Sequence, residues 1–253
     1  MLFRSLGGGA GFINLNGEYC RGQESGGRVT QEKIVPQKKV LRDFIESFDF
    51  VRMARFTHFS GMPSDAFASA IAETQRSLSM DTIDAAVEAI VNASQVMLYG
   101  VGGSAVVIHA AQHLFVKAGI PCACYHDGYM QTVTAAIMRK GSVAIGVSTL
   151  GATKNVVDAL KIALKHGATT IGITSNRESA LAKVSQICLV IPGGDRNVPL
   201  YGDFLEAKMC QLYIMDLLYL RILFKMGEIS KKALKETAEA LRTYYNPVKR
   251  VKT

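Results

Sequence analysis

The chain has 253 residues, 49% of them hydrophobic and 20% charged. That excludes a disordered tail and leaves enough apolar surface for one large core or two small ones. Lys plus Arg is 29 and Asp plus Glu is 21, a net +8, and the surplus sits at the two ends, where it fits polyanion contact or solubilising termini equally.

No apolar run reaches the roughly 18 residues that a membrane helix needs; the longest candidate, Leu212 to Phe224, is cut by Asp216 and Arg221. Met1–Ala10 lacks the basic head and long apolar stretch of a signal peptide. Five Cys, an odd number mostly within apolar runs, fit reduced thiols in a cytoplasmic protein. Cys122 and Cys124 have no matching Cys/His pair, which favours a buried strand over a metal site.

Eight of the first 30 residues are Gly, and no helical or strand period runs through Asn14–Val29. This predicts a loop or a poorly ordered segment. Val40, Leu41, Phe44, Ile45, Phe48 and Val51 then recur at three and four, predicting an amphipathic helix with Pro36 fitting its first turn. After the break at Gly61–Pro63, Ser64 or Asp65 is the expected cap of a helix to about Ser77. Asp81 is the expected cap of the next, whose apolar face is Ile83, Val87, Ile90 and Val91.

From residue 95 the pattern becomes strand, Gly-rich turn, helix, repeated. Strands are predicted at 95–99, 121–125, 142–147, 169–174 and 187–191. Helices are predicted at 105–118, 130–138, 154–166 and 179–183. A long apolar helix over 204–225 and a polar amphipathic one over 231–244 follow. Five strands with intervening helices imply a parallel sheet covered on both faces, a three-layer α/β/α sandwich. Ligands are then expected in loops at the carboxyl ends of the strands.

Two of those loops carry chemistry. Gly100-Val-Gly-Gly-Ser104 follows a strand and opens a helix. Gly102 and Gly103 allow close approach of the backbone, and Ser104 with the first helical N–H groups can hold an anion. It is not the dinucleotide fingerprint, because Ala105 stands where that motif needs its last Gly. In the second loop Ser148, Thr149 and Thr153 surround Gly151. Alone, such a loop reads as a helix cap by Ser148 or Thr149; two in one sheet favour an anion site.

Tyr99-Gly-Val-Gly-Gly-Ser104, Ile145-Gly-Val-Ser148-Thr-Leu-Gly151-Ala-Thr153, and Gly172-Ile-Thr174-Ser175 with Ser179-Ala-Leu-Ala-Lys183 resemble the sugar isomerase (SIS) domain over about residues 68–224. Ala72-Glu-Thr74, Asp127-x-x-x-Gln131, and Glu206 followed by Gln211-Leu-x-x-x-Asp216-Leu-Leu resemble the sugar-sensing half of RpiR-type bacterial transcriptional regulators. The resemblance implies a flavodoxin-like five-stranded parallel sheet preceded by helices. It also implies a bound phosphorylated sugar, no cofactor and no metal, and a homodimer or homotetramer. Carried over by motif, the ligand-binding positions are Gly102, Gly103, Ser104, Gln131, Ser148, Thr149, Leu150, Gly151, Thr153 and Glu206. The family's second loop Ser is Leu150 here, which removes one hydroxyl that backbone N–H groups partly replace.

Such regulators carry an N-terminal helix-turn-helix domain, for which this chain has too little room. Residues 1–36 read as an irregular remnant of it, 37–67 as a linker helix, 68–245 as the SIS domain and 246–253 as a basic tail. The expectation is a truncated regulator or a reading frame begun too far downstream; the alternative is that residues 1–30 are an unrelated loop. DNA is a partner only where a complete helix-turn-helix domain is present.

An aldose–ketose isomerase is the alternative function. Its chemistry needs a base between adjacent carbons and an acid that opens the sugar ring. Glu206 and His126 are the candidates; His109 and His113, four apart on a helix, fit ordinary helix residues. No paired base and ring-opening acid can be placed from spacing, which favours a sensor.

Overall fold

The structure is a computed structural model describing residues 62–192 and 202–242, with side chains from Phe67 to Pro192 and from Leu205 to Arg242, and four strands nearer the N-terminus. The chain divides into two units, Met1–Pro63 and Ser64–Thr253.

In the first unit β1 (Phe3–Arg4), β2 (Ala10–Ile13), β3 (Tyr19–Arg21) and β4 (Glu32–Val35) form an antiparallel sheet in chain order. This corrects the loop expected over the first 30 residues. The strands are two to four residues long, too short for a period-two pattern to register among the glycines. The helix expected over 37–59 and the basic tail over 246–253 lie outside the described residues.

The second unit opens within α1 (Met62–Ser77) and continues into α2 (Met80–Val91). Both begin earlier than expected. Ser79, not Asp81, holds the N-cap position of α2, without a side-chain cap, and Asp81 lies in the first turn, where a carboxylate complements the helix dipole. Next come β5 (Gln95–Tyr99), α3 (Gly103–Lys117), β6 (Cys122–Tyr125), α4 (Gly128–Ala136), β7 (Ser142–Val147), α5 (Lys154–Lys165), β8 (Thr169–Thr174), α6 (Ala180–Lys183) and β9 (Ile187–Val190). The unit closes with α7 (Gly202–Met226) and α8 (Glu228–Leu241).

The five strands form a parallel sheet in the order β6-β5-β7-β8-β9. The chain reverses direction across the sheet between β5 and β7, and a crevice opens at such a switch point beyond the carboxyl ends of the two strands.

Successive strand residues point to opposite faces. Val96, Leu98, Val143, Ile145, Ile171 and Ile173 pack with Ile83, Val87 and Ile90 of α2, Val107, Ile108 and Phe115 of α3, and Ile214, Leu218 and Ile222 of α7. Met97, Tyr99 and Ala144 face the other way, onto Ala135 and Met138, onto Val156, Val157 and Leu160 of α5, and onto Leu181 of α6. The result is the expected three-layer sandwich. Each large side chain removed from water contributes about 1.5–3 kcal/mol, so β7, buried along its whole length, is the anchor of both layers. Gly146 lets α5 approach: a Cβ there would stand 2.8 Å from Leu160 Cδ1. That close seat fixes where the N-terminus of α5 points.

α7 is apolar nearly all round, and one stripe faces solvent. Leu205, Leu220 and Phe224 are exposed, Phe224 by 84%. Arg221 and Lys225 reach back to Asp84 and Glu88 of α2.

Candidate functional site

Both hydroxyl-bearing loops lie at the switch point. The first runs from Tyr99 at the end of β5 to Gly103 at the start of α3. Gly102 is the N-cap of α3 and offers no side-chain cap. Space is open around Gly102 and Gly103, since a Cβ at either would meet nothing within 4 Å. Ser104 is 9% exposed; its N–H donates to Val101 O at 3.1 Å.

The second loop joins β7 to α5. Ser148 and Thr153 share a hydrogen bond between their hydroxyls at 2.9 Å. Gly151 makes the turn between them at φ +64° and donates to Ser148 O at 2.9 Å. A Cβ at Gly151 would overlap the Ser179 hydroxyl and come within 2.7 Å of Thr174 Oγ1, so only Gly fits. The Thr149 carbonyl accepts from Thr174 Oγ1 at 3.1 Å, Ser175 Oγ at 2.7 Å and Ser175 N–H at 2.8 Å. The Thr149 hydroxyl accepts from Gln211 Nε2 of α7 at 3.0 Å.

Among α3 to α6, the helices that follow β5 to β8, the capping pattern differs. α4 is capped by Asp127, whose carboxylate accepts from Met130 N–H at 2.8 Å. α6 is capped by Ser179, which accepts from Ala182 N–H at 3.2 Å. The N-cap of α5 is Thr153, and its hydroxyl turns to Ser148 rather than to the helix. Neither Ser148 nor Thr149 caps, contrary to the simpler reading of this loop. The two helices that start beside the switch point, α3 and α5, therefore have no side-chain cap, although in α3 the Ser104 and Ala105 N–H groups donate to Val101 O and Gly102 O at 3.1 and 3.0 Å. Uncapped helix-start amides carry partial positive charge and hold anions. α4 closes the third side: its Gly128 is so near the first turn of α5 that a Cβ would overlap the Asn155 amide.

The charge offered to a ligand comes from amides and neutral hydroxyls. Lys154, in the first turn of α5, is ion-paired with Asp158 one turn on. Tyr99, at the end of β5, points its hydroxyl at Thr134 Oγ1, 3.2 Å away; burial pushes its pKa up to about 12, so it stays protonated.

The structure brings some of the expected site residues together and places others apart. Ser104, Ser148, Thr149, Gly151 and Thr153 come together with Gly102 and Gly103 on the two loops. Leu150, where the family has a hydroxyl, is 57% exposed at the loop tip. Gln131 is fully buried on α4. Its Nε2 donates to Tyr125 O at 2.9 Å and Gly100 O at 3.4 Å, tying the ends of β6 and β5, while its Oε1 is buried without a partner. Gln131 thus braces the first loop from below. Glu206 is half-buried one turn before Cys210 on α7 and pairs with no described residue. His126 is exposed after β6, its ring 5.6 Å from that of His109. His109 Nδ1 lies 3.2 Å from Cys124 Sγ, which donates to Gln112 Oε1 at 2.8 Å. These histidines therefore gather at the outer edge strand, where Cys124 lies on a strand as expected but half-buried rather than buried.

The Gln211–Thr149 bond was not legible from spacing, because its partners are 62 residues apart. In the sequence Gln211 stands out only as the first residue of the Gln211-Leu-x-x-x-Asp216-Leu-Leu resemblance, which names no partner for it.

This geometry defines a doubly wound α/β domain with two helix starts that lack side-chain caps at its switch point. The SIS domain family model matches residues 89–221, more than half of the chain, and the chain belongs to that family. It is 34% identical over 172 residues, 68% of this chain and 60% of the relative, to an uncharacterized HTH-type transcriptional regulator of Caldanaerobacter subterraneus subsp. tengcongensis. It is 31% identical over 152 residues, 60% of this chain and 51% of the relative, to the HTH-type transcriptional regulator RpiR of Escherichia coli K12. The chain thus spans between half and two thirds of the length of these relatives. Among solved structures, the sugar isomerase domain of an RpiR transcription factor from Sphaerobacter thermophilus matches with a TM-score of 0.62 at 26% identity, covering 71% of this chain and 99% of that one. The Vibrio vulnificus NanR protein complexed with ManNAc-6P shares the fold, with a TM-score of 0.68 at 24% identity over 78% of this chain and 76% of that one.

Proposed function

We propose that this chain is the phosphosugar-sensing SIS domain of an RpiR-type transcriptional regulator that controls carbohydrate-metabolism genes. The observation that carries the reading is the pairing of two uncapped helix starts, α3 and α5, across the switch point, with Ser104, Ser148, Thr149 and Thr153 between them. A phosphate ester fits this environment: its oxygens accept from hydroxyls and helix amides, and no lysine is required. Gly102, Gly103, Leu150 and Gly151 supply backbone and shape, Gln131 braces the first loop, and Glu206 lies on the helix that closes the site. The relatives named as HTH-type regulators and the sugar phosphate bound to NanR support the same assignment.

The sensor acts as a homodimer or homotetramer in the cytoplasm, where thiols stay reduced. Joined to a complete helix-turn-helix domain, it passes sugar-phosphate occupancy to DNA through a change in how the copies pack.

Isomerase chemistry would have to use Glu206 or His126. His126, with His109 and Cys124, sits at the edge strand. Incubating the purified chain with hexose and pentose phosphates separates the two activities. Saturable binding with no aldose–ketose conversion supports the sensor; steady conversion overturns it in favour of the isomerase.

A further inference from the structure

Gln211 is 1% exposed on α7, surrounded by the apolar layer of α2, α3 and α7. A buried amide in such a place costs stability unless it is hydrogen-bonded. Its Nε2 donates to Thr149 Oγ1 at 3.0 Å, and among the described residues this is the hydrogen bond joining the 148–153 loop to α7.

The direction of that bond decides what Thr149 can do. A hydroxyl has one proton and two lone pairs. Gln211 occupies a lone pair, and the Thr149 proton has no acceptor among the described residues. The backbone is held just as firmly, by three donors from Thr174 and Ser175 on the Thr149 carbonyl. Ser148 and Thr153 contribute differently: two hydroxyls share one bond, which leaves one further proton free. The loop therefore offers two hydroxyl protons besides its amides.

We propose that Gln211 is a positioning residue of the phosphate loop: it holds Thr149 Oγ1 as an acceptor on the α7 side, so that the Thr149 hydroxyl donates to a bound phosphoryl oxygen. This rests on the phosphosugar reading above and adds to it a residue outside the loop. It also makes the loop selective by protonation state, because an all-donor cradle prefers the dianion of a phosphate ester, whose second pKa is about 6.

The test is titration calorimetry of the full chain with inorganic phosphate, which probes the cradle without assuming a sugar. Gln211→Met keeps the volume and removes the donor, and phosphate affinity is expected to fall about fivefold to tenfold. Gln211→Glu reverses the bond: the carboxylate takes the Thr149 proton and places a negative charge beside the anion. Its affinity is expected to fall at least tenfold below that of Gln211→Met at neutral pH, and, as a ratio to the unaltered chain at each pH so that protonation of the phosphate itself cancels, to recover as pH drops and the carboxyl protonates. A residue that only filled space would show no such pH dependence. In a Thr149→Val background Gln211→Met is expected to change nothing further; full additivity overturns the proposal. Should Gln211→Met fail to fold, Thr149→Val alone decides, and unchanged phosphate affinity overturns it. Normal binding by both Gln211 variants, beside a weakened Ser148→Ala, rejects the role of Gln211 and leaves the phosphosugar reading standing. No phosphate binding by the unaltered chain rejects both.

Discussion

Replacing Ser148 by Ala separates a ligand-binding hydroxyl pair from a merely structural one. Ser148 is buried, and its hydroxyl meets Thr153 Oγ1 at 2.9 Å. Losing that bond costs about 1 kcal/mol of folding stability, as for a neutral pair with one partner near solvent. Thr153→Val removes the other partner and strands the buried Ser148 hydroxyl, at about 1–3 kcal/mol. Binding follows a different scale. Hydrogen bonds to a charged group contribute about 1.5–3 kcal/mol each, so either variant should weaken a phosphosugar roughly ten- to 150-fold. Together the two should weaken it less than additively, because they share one bond. Calorimetric titration gives the affinities, and thermal melts give the stabilities. If both variants lose stability yet keep their affinity to within about twofold, the hydroxyl pair serves the fold alone and the cradle argument fails.

Two further outcomes follow from the same geometry. Gly151→Ala combines φ +64° with overlap of the Ser179 hydroxyl. It should lower the melting temperature beyond Gly102→Ala, which has φ +57° but open space, so that its cost is backbone strain without a clash; equal melting temperatures would contradict this. Burial pushes the Cys122 thiol up to about 12 from an ordinary value near 9. The folded state thus favours the protonated thiol, and this contribution is complete below about pH 9 and lost as pH rises toward 12. Iodoacetamide at pH 8, followed by mass spectrometry, should label Cys122 more slowly than Cys124, and the reverse order would refute the burial argument.

The sheet was legible in the sequence because its central strands are short runs rich in β-branched and apolar residues. Ser142–Val147 and Thr169–Thr174 fall where the reading put them, since such residues fit a pleated strand buried on both faces. Helix starts were less legible. α4 begins at Gly128, two residues before the apolar pattern, because Asp127 caps it through Met130 N–H; periodicity reports the buried face and not the cap. Asp81 was misread for a related reason: an acid in a first turn resembles a cap, but Ser79 holds the position. The four N-terminal strands were missed because they have only two to four residues each and lie between glycine-rich stretches of sequence. At the site, the loops announced themselves through Gly, Ser and Thr at strand ends. Their order did not reveal that Thr153 would turn to Ser148 and leave α5 uncapped, or that Gln211 would reach across 62 residues to Thr149. Those are long-range pairings, fixed only when α7 packs on the sheet.

The central claim is that the crevice between β5 and β7 recognises an esterified phosphate. The most direct measurement is a thermal-shift and calorimetric comparison of phosphosugars with the same sugars lacking phosphate. A ligand that binds only the folded state raises the melting temperature by mass action. The account predicts saturable binding and a raised melting temperature for at least one phosphosugar, abolished when its phosphate is removed and weakened by Ser148→Ala. Equal responses to a sugar with and without its phosphate, or flat titrations across the panel, would contradict it.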